Sequence, residues 1–193
     1  MSVVNALSGI GGNVAPGELV RVSGAGFGGE TVAEVWFGAR SVPVLQSEPG
    51  QLTVQVPEEV AGASSTRVEV RVAGKLVGGT DLGVAEAAPG LLPLAVNQDG
   101  WPNNAMRPAG AGDLLILFAT GQGRLEEARP VLPVAVTVAG VEAEVARAEA
   151  ASGATGLLLL MVRVPGGFVP SGQVPLVLTV GSAKAEPVGV WLR

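Results

Sequence analysis

The chain has 193 residues, of which 48% are hydrophobic, and its 12 basic and 17 acidic residues give a net charge of -5. Basic residues this few and scattered do not form the patch that nucleic-acid binding requires, and they disfavour anionic membrane surfaces. The chain contains no Cys and no His, which excludes disulfides, thiolate or histidine-ligated metals and His-dependent nucleophilic catalysis. We therefore expect a globular, β-rich protein without cofactor, metal, nucleic acid or membrane insertion.

One motif occurs twice and organises the chain. Residues 15–28 read APGELVRVSGAGFG, and residues 109–123 read AGAGDLLILFATGQG. In both segments small residues and an acid precede an apolar run that ends at Gly-x-Gly, and Glu18 corresponds to Asp113, 95 positions later. The repeat predicts a β-unit that opens each half of the chain.

Short runs of alternating apolar and polar residues, separated by Gly and Pro, fill both halves and predict strands. Only residues 143–154 would allow a helical turn. Relative to the first half, the second carries insertions at residues 124–131 and 148–154. The predicted strands are 3–7, 18–23, 32–37, 41–45, 51–56, 66–72 and 76–85 in the first half, and 91–96, 113–118, 134–138, 142–146, 157–164, 174–180 and 187–192 in the second.

About seven such strands per half, with turns every 8–12 residues, is the pattern of an immunoglobulin-like β-sandwich. A doubly wound α/β fold would need amphipathic helices between its strands, and the sequence has none. The small residues 87–90 indicate a hinge. We predict an all-β chain of two tandem immunoglobulin-like sandwiches, residues 1–88 and 89–193.

Six short motifs occur in a fixed order along nearly the whole chain. They resemble the C-terminal tandem domain shared by large secreted acidobacterial proteins, a paralogous family of duplicated IPT/TIG-type sandwiches. The resemblance implies the tail of an exported protein, secreted or at the cell surface, whose upstream domains lie outside this chain. It offers no catalytic or binding residues to transfer, and residues 1–5 show no signal peptide. The motifs are VVNA at 3–6, APGELV at 15–20, VQVPEEVAG at 54–62, APG at 88–90, NQDG at 97–100 and ATGQG at 119–123.

Three sequence patterns resemble catalytic or ligand-binding motifs, but each is better explained as a turn or a loop. Residues 24–29 match the glycine spacing of dinucleotide-binding loops, but β-forming residues follow them, so we expect a turn. The acidic pairs Glu58-Glu59 and Glu126-Glu127 lie in predicted loops, where adjacent acids point apart, so glycosidase chemistry is disfavoured. The oxygen donors of residues 97–104 are typical of a turn rather than of a calcium loop, because the closing Glu is missing.

The expected function is that of a non-enzymatic binding and spacer module that contacts a protein or a surface glycan, together with its own upstream domains. The alternative is a carbohydrate-binding module in which Trp101, flanked by Asn103 and Asn104, offers an exposed stacking platform. Trp101 could instead fold back over the domain junction. Trp36 and Trp191 lie within strand patterns and are expected in the core.

Predicted strands 18–23 and 51–56 of the first half correspond to strands 113–118 and 157–164 of the second, and their outward residues differ in polarity. They are polar in the first half and apolar in the second, and a strand apolar on both sides is normally covered on both sides. We expect this face, here called the apolar outer face, to be buried by the first domain, by the insertion at residues 124–131 or by another chain. The first-half residues are Arg21, Ser23, Gln51 and Thr53, and the residues of the apolar outer face are Ile116, Phe118, Leu159 and Met161.

Overall fold

Two separate hydrophobic cores form in the computed structural model, which describes residues 1–30, 32–167 and 170–193. The first core is built mainly from Val side chains within residues 3–84, and the second is richer in Leu and spans residues 87–192. Within the described residues every regular element is a strand except one 3-10 turn at Glu58–Val60. The predicted all-β, immunoglobulin-like fold is confirmed, and the exact boundary at residue 88 stays a prediction.

The first sandwich pairs two four-stranded antiparallel sheets, ordered β1-β2-β6-β5 and β4-β3-β7-β8. Alternation places Val20, Val22 and Val54 inward, and all three are fully buried. Pro57 has no amide to continue the ladder beyond β6. The strands are β1 Ser2–Asn5, β2 Leu19–Ser23, β3 Ala33–Phe37, β4 Arg40–Val42, β5 Val44–Glu48, β6 Gln51–Gln55, β7 Ser65–Val72 and β8 Lys75–Gly83.

The predicted strand at residues 41–45 is two strands that belong to different sheets. Strand β4 pairs with β3, and β5 pairs with β6, with a register shift between Val44 and Gln46. Pro43 stands between them, and because it lacks an amide hydrogen it ends the first ladder and lets the chain cross to the other sheet.

The second sandwich repeats this plan with additional strands. Its ladder runs β10-β11-β16-β15-β14-β17-β18, with β9 beside β11 and β19 beside β17. The strands are β9 Gly90–Leu91, β10 Val96–Asn97, β11 Leu114–Thr120, β12 Leu125–Glu126, β13 Arg129–Pro130, β14 Val134–Val138, β15 Val141–Ala150, β16 Leu158–Arg163, β17 Gly172–Val180, β18 Ala183–Lys184 and β19 Val188–Leu192.

The helical turn that the sequence allowed at residues 143–154 does not form, because strand β15 extends to Ala150. Its first three residues pair with β14, and from Glu144 onwards it pairs with β16, with a register shift between Val145 and Arg147. It is thus the uninterrupted counterpart of β4 and β5. The predicted strand at residues 91–96 is also corrected, since β9 and β10 occupy only its ends and Pro93 lies between them.

Strand register confirms the correspondence between the halves. In both sandwiches the repeated strand lies antiparallel to the strand that precedes a Pro, β2 beside β6 and β11 beside β16. The pairs are Arg21 with Thr53 and Ser23 with Gln51 in the first sandwich, and Ile116 with Met161 and Phe118 with Leu159 in the second.

The small-residue segment predicted as a hinge is packed tightly against the second sandwich. The amide of Ala88 donates to the carbonyl of Gly121 at 2.8 Å. Gly121 has a φ of 77°, and a Cβ there would overlap the carbonyl oxygen of Ala88. A Cβ on Gly123 would overlap the carbonyl oxygen of Glu86 in the same way. The second Gly-x-Gly therefore holds the connection between the domains in place.

Gly121→Ala should destabilise the protein far more than Gly140→Ala. Both glycines have a φ near 80°, but nothing lies within 4 Å of a Cβ on Gly140, in the turn between β14 and β15. We expect a loss of about 1 kcal/mol for Gly140→Ala from the left-handed backbone alone, and about 3 kcal/mol or more for Gly121→Ala from the added overlap. Urea unfolding followed by circular dichroism measures both, and equal losses would contradict the packed connection.

Candidate interaction surfaces and the domain junction

The apolar outer face lies on β11 and β16 of the second sandwich. Its four side chains, Ile116, Phe118, Leu159 and Met161, are each half-buried. The alternate residues of the same strands face the core and are fully buried, so the predicted inward and outward register is correct. These inward residues are Leu115, Leu117, Leu160 and Val162.

The surroundings of the apolar outer face differ on its two sides. On one side Val96 lies opposite Ile116, and Leu94, in the segment before β10, is 43% exposed. On the other side β15 places Arg147 and Glu149, which form an ion pair, beside β16. The apolar patch thus has a charged rim along β15. What covers it in the working protein stays a prediction.

Trp101 lies exposed in the polar loop between β10 and β11, with 56% of its surface accessible. The guanidinium of Arg107 stacks on its ring at 4.7 Å from the centroid. Arg107 also lies 3.8 Å from the carboxylate of Asp99, whose other oxygen accepts a hydrogen bond from the Trp101 amide at 3.1 Å. The ring is therefore held in a fixed orientation with one face occupied.

The two amides that the sequence places beside Trp101 serve the loop itself. Asn103 donates to the carbonyl of Trp191 at 2.9 Å and accepts from its amide at 2.6 Å, which ties the loop to β19. Asn104 accepts from the amides of Met106 and Arg107. The expected turn is confirmed, and within the described residues no group of three or more acidic side chains is placed to hold a metal ion.

The other two tryptophans do not lie in the cores, so that expectation is wrong. Trp36 is half-exposed on the outer face of β3, with Arg71 5.0 Å from its ring centroid. Trp191 is half-exposed between Val190 and Leu192, which take the buried positions of β19. Alternation along each strand decides which face a side chain takes, and both rings fall on the outward parity.

The remaining sequence candidates have structural explanations. The glycine-rich residues 24–29 form turns, and the next element in the described part of the chain is strand β3 rather than a helix whose N-terminus could bind a pyrophosphate. In the 3-10 turn Glu59 pairs with Arg40 at 3.3 Å, whereas Glu58 approaches Gly17. Glu126 lies in β12 and Glu127 in the following turn with a φ of 47°. Glu58 and Glu59 both line a shallow surface pocket beside Arg40 and are exposed to water.

The two sandwiches meet through a short chain of hydrogen bonds. The amide of Leu19 donates to the hydroxyl of Thr120 at 2.8 Å, and that hydroxyl donates to the carbonyl of Gly156 at 2.7 Å. The Leu19 side chain is 8% exposed and lies so close to Gly156 that a Cβ there would be 2.6 Å from Leu19 Cγ. Leu19 lies on the outward side of β2, as Arg21 and Ser23 do, but it is buried because the second domain covers it.

Glu18, the acid of the repeated motif, is buried beside this contact. Its carboxylate accepts hydrogen bonds from Asn5 Nδ2 at 2.9 Å and from the Ala15 amide at 2.8 Å. Burial raises the pKa of Glu18 to about 7, and these two hydrogen bonds only partly oppose that effect. Its counterpart Asp113 accepts from the Gly110 amide at 2.7 Å, so the acid closes the same turn in both halves.

A cleft of about 400 Å³ adjoins Glu18 between the two sandwiches. The first domain contributes Asn5 and Asn13, and the second contributes the β17–β18 turn with Lys184 and Glu186. The repeat in the sequence marks Glu18 as part of a turn. Its burial depends on the neighbouring domain, which no local pattern reveals.

Raising the pH from 4.5 to 7 should lower the free energy of unfolding through Glu18. The unfolded chain releases this proton near pH 4.5, whereas the folded chain keeps it up to about pH 7, so the stabilisation is complete below 4.5 and lost across this window. The expected loss is about 3 kcal/mol. It is measured as the difference between the native protein and Glu18→Gln in urea unfolding at several pH values. Parallel pH profiles for the two proteins would contradict it.

One known domain family matches the first half of the chain. The IPT/TIG domain model matches residues 2–86. A search of curated protein sequences finds no match. Among solved structures, the crystal structure of the I9–I11 tandem from titin aligns at 8% identity with a TM-score of 0.28, covering 91% of this chain and 59% of that chain. Within the described residues no helix is long and apolar enough to cross a membrane. The first sandwich is thus similar to IPT/TIG domains, and its fold is immunoglobulin-like.

Proposed function

We propose that this chain is a binding and spacer module of a larger exported protein, located outside the cell or on its surface, and that it binds a protein partner. The coarse class is that of an immunoglobulin-like interaction module. The observation that supports the proposal best is the apolar outer face of the second sandwich, which the first sandwich replaces with polar residues.

The composition of that face suits a protein partner. Its centre is apolar and half-buried, and Arg147 and Glu149 lie on its rim. An apolar centre with a polar rim is the usual arrangement of a protein–protein interface. The equivalent positions of the first sandwich carry Arg21 and Thr53 in the same register, so the fold itself does not require apolar residues there.

The spacer role follows from the way the domains are joined. The Leu19 amide is bonded across the junction, and the connecting residues are packed against Gly121 and Gly123. A connection of this kind resists bending better than a flexible linker, because bending would leave buried backbone groups without partners. The exported location is supported by the sequence resemblance alone.

Catalysis has no place in this proposal. The chain has no His or Cys, and the adjacent acids Glu58 and Glu59 are exposed, with Glu59 paired to Arg40. We propose that neither hydrolysis nor redox turnover belongs to this chain.

A photo-crosslinking residue at Phe118 should trap the partner on producing cells. With p-benzoylphenylalanine in place of Phe118, we expect one dominant crosslinked protein of fixed mass. The matched control places the same group at Trp36, an aromatic position on the outer face of the first sandwich.

Polar replacement of the whole face completes this test. Ile116→Arg, Phe118→Ser, Leu159→Gln and Met161→Thr copy the residues found in the first sandwich, so folding should persist and the partner should be lost. Equal crosslinking from both positions, or an unchanged partner with the polar face, would contradict the proposal.

A second candidate, carbohydrate binding, is favoured by the exposure of Trp101. A fixed, accessible indole offers one free face on which a sugar ring can stack. Because both neighbouring amides are committed to the loop, polar contacts would have to come from Gln98 or Asp99, which are exposed.

Trp101→Ala should leave the melting temperature nearly unchanged and abolish any signal on a glycan array. The side chain is more than half exposed, so little packing is lost. Loss of several kcal/mol, the scale of a deleted buried aromatic, would instead make Trp101 a structural residue. A silent array with the native protein would remove this candidate.

A further inference from the structure

Strand β8 forms a long edge of the first sandwich. It has nine residues, Lys75–Gly83, whereas the other strands at the sheet edges of this sandwich, β1, β4 and β5, have three to five. In the described part of the chain the ladder of β8 has one neighbour, β7. An unpaired strand side presents backbone donors and acceptors to which another strand can bind.

Hydrogen bonds at the end of β8 show which of its residues face the open side. The carbonyl of Gly83 accepts from the Val14 amide at 2.9 Å, on the side away from β7. The next amide along the chain, that of Val84, donates at 3.0 Å to the residue that precedes β7. Backbone direction alternates along a strand, so the backbone groups of Gly79 and Asp81 also face away from β7. Both residues are exposed.

The free part of this edge is Gly78–Leu82, here called the open edge. It ends where Val14 takes the neighbouring position at Gly83. It begins after Val77, at which the register with β7 shifts. Within the open edge the pairing with β7 is regular, so its outward amides and carbonyls have the spacing of an ordinary antiparallel strand.

The second sandwich covers the equivalent edge with its own loop. Strand β19 lies beside β17 as β8 lies beside β7. The Trp191 amide of β19 donates to Asn103 Oδ1 at 2.6 Å, and its carbonyl accepts from the Ala109 amide at 2.9 Å. The corresponding loop of the first sandwich, residues 6–13, is shorter, and the residue after it reaches β8 only at Gly83. The same edge is therefore closed in one half of the chain and open in the other.

Gly79 leaves a gap on the outer side of the open edge. A Cβ on this residue would lie 2.9 Å from Arg67 Nη2, so the guanidinium lies over the glycine. Arg67 already contacts Glu69 at 3.3 Å and Asp81 at 3.0 Å, so a further acid would add little. An aromatic ring opposite Gly79 would fill the gap and stack on the guanidinium, as another Trp–Arg pair of this sheet does.

The two neighbouring positions favour a basic and an apolar residue. The Asp81 side chain is 70% accessible, and the chain carries a net negative charge, so a basic residue suits the position opposite Asp81. On the inner side Thr80 lies opposite the buried Val68, and the sulfur of Met1 lies 3.2 Å from where a Cβ on Gly78 would be. A β-branched apolar residue opposite Thr80 would contact this apolar side chain.

We propose that the open edge binds an extended segment of a partner protein by strand addition. The segment forms backbone hydrogen bonds with Gly79 and Asp81, and it places an aromatic residue opposite Gly79, a basic residue opposite Asp81 and an apolar residue between them. The site belongs to the first sandwich and uses no residue of the apolar outer face, so either site can fail without the other.

Hydrogen exchange of the full chain tests whether the edge is open. The amides of Gly79 and Asp81 should exchange faster than those of Thr80 and Leu82, which point toward β7. Equal protection of all four amides in the free protein would contradict an open edge.

Nuclear magnetic resonance titration with a model segment tests binding. The probe is Ac-Lys-Val-Trp-Val-Lys-NH2, whose symmetric sequence suits either strand direction. We expect saturable shifts of the Gly79 and Asp81 signals, slower exchange of both amides and unchanged signals from β19. The control is the same peptide with every backbone amide N-methylated, which keeps the side chains and removes the donors, so it should not bind. A second control, with Thr in place of the central Trp, should bind more weakly.

Two substitutions at Gly79 give the matched comparison. Gly79→Pro removes the outward amide, and because this amide takes no part in the ladder with β7, an edge position tolerates it. Gly79→Ala adds a Cβ at the same place and keeps the amide. The midpoints of urea unfolding should be similar for the two variants. We expect Gly79→Pro to weaken binding of the peptide about tenfold or more relative to Gly79→Ala.

The contrary outcomes are distinct from one another. Equal binding of the N-methylated peptide, no binding of the unmodified one, or equal affinities of the two Gly79 variants would overturn strand addition. Equal affinity of the Thr-containing peptide would overturn the aromatic position. Concentration-dependent self-association in sedimentation velocity that Gly79→Pro removes would assign the edge to a second copy of this chain, and this too would overturn the proposal.

Discussion

The hydrogen bond from the Leu19 amide to Thr120 is the constraint on which the relation between the two sandwiches depends. Leu19 lies in β2, on the side covered by the second domain, so its amide has no strand neighbour there and no access to water. A buried backbone donor must be satisfied, and the acceptor comes from the end of β11. Separating the domains would orphan this amide and expose the Leu19 side chain at the same time. The cleft beside Glu18 is lined by residues of both domains, whose spacing this contact helps to fix.

The two domains share the pairing of their corresponding strands but differ in the residues on the outer surface of those strands. Arg21 and Ile116 occupy the same place in the same strand of the two domains, opposite Thr53 and Met161. A strand needs only its inward residues to be apolar, so the outward positions are free to diverge without loss of the fold. The second domain has used that freedom to build an apolar face and, at one end, two insertions. Its divergence lies on the outward surface and in the loops, and the inward Leu and Val positions are retained.

The sequence predicts most of this fold, because glycine turns and two-residue alternation survive in a single chain. It fails where local pattern and tertiary context disagree. The alanine-rich residues 143–150 lack clear alternation, so the longest strand resembled a helical turn. Trp36 is expected in the core because it is hydrophobic, but it alternates with the buried residues Val35 and Phe37 of β3 and therefore lies on the outer face. The burial of Glu18 and Gln122 could not be predicted at all, since each is covered by residues of the other domain or of an insertion.

Two buried polar groups lie beside the connecting segment, and they affect stability in different ways. Glu18 resists ionisation because its surroundings replace water with only two donors, so its burial makes the stability of the folded chain depend on pH. Gln122 Oε1 accepts no hydrogen bond within the described residues, and a buried acceptor left unpaired costs about 1–3 kcal/mol. An acid in this place has a structural reason, since Glu18 and Asp113 each accept the amide three residues earlier and close the same turn. The pH dependence arises from the burial of Glu18 at the domain junction and not from its role in that turn.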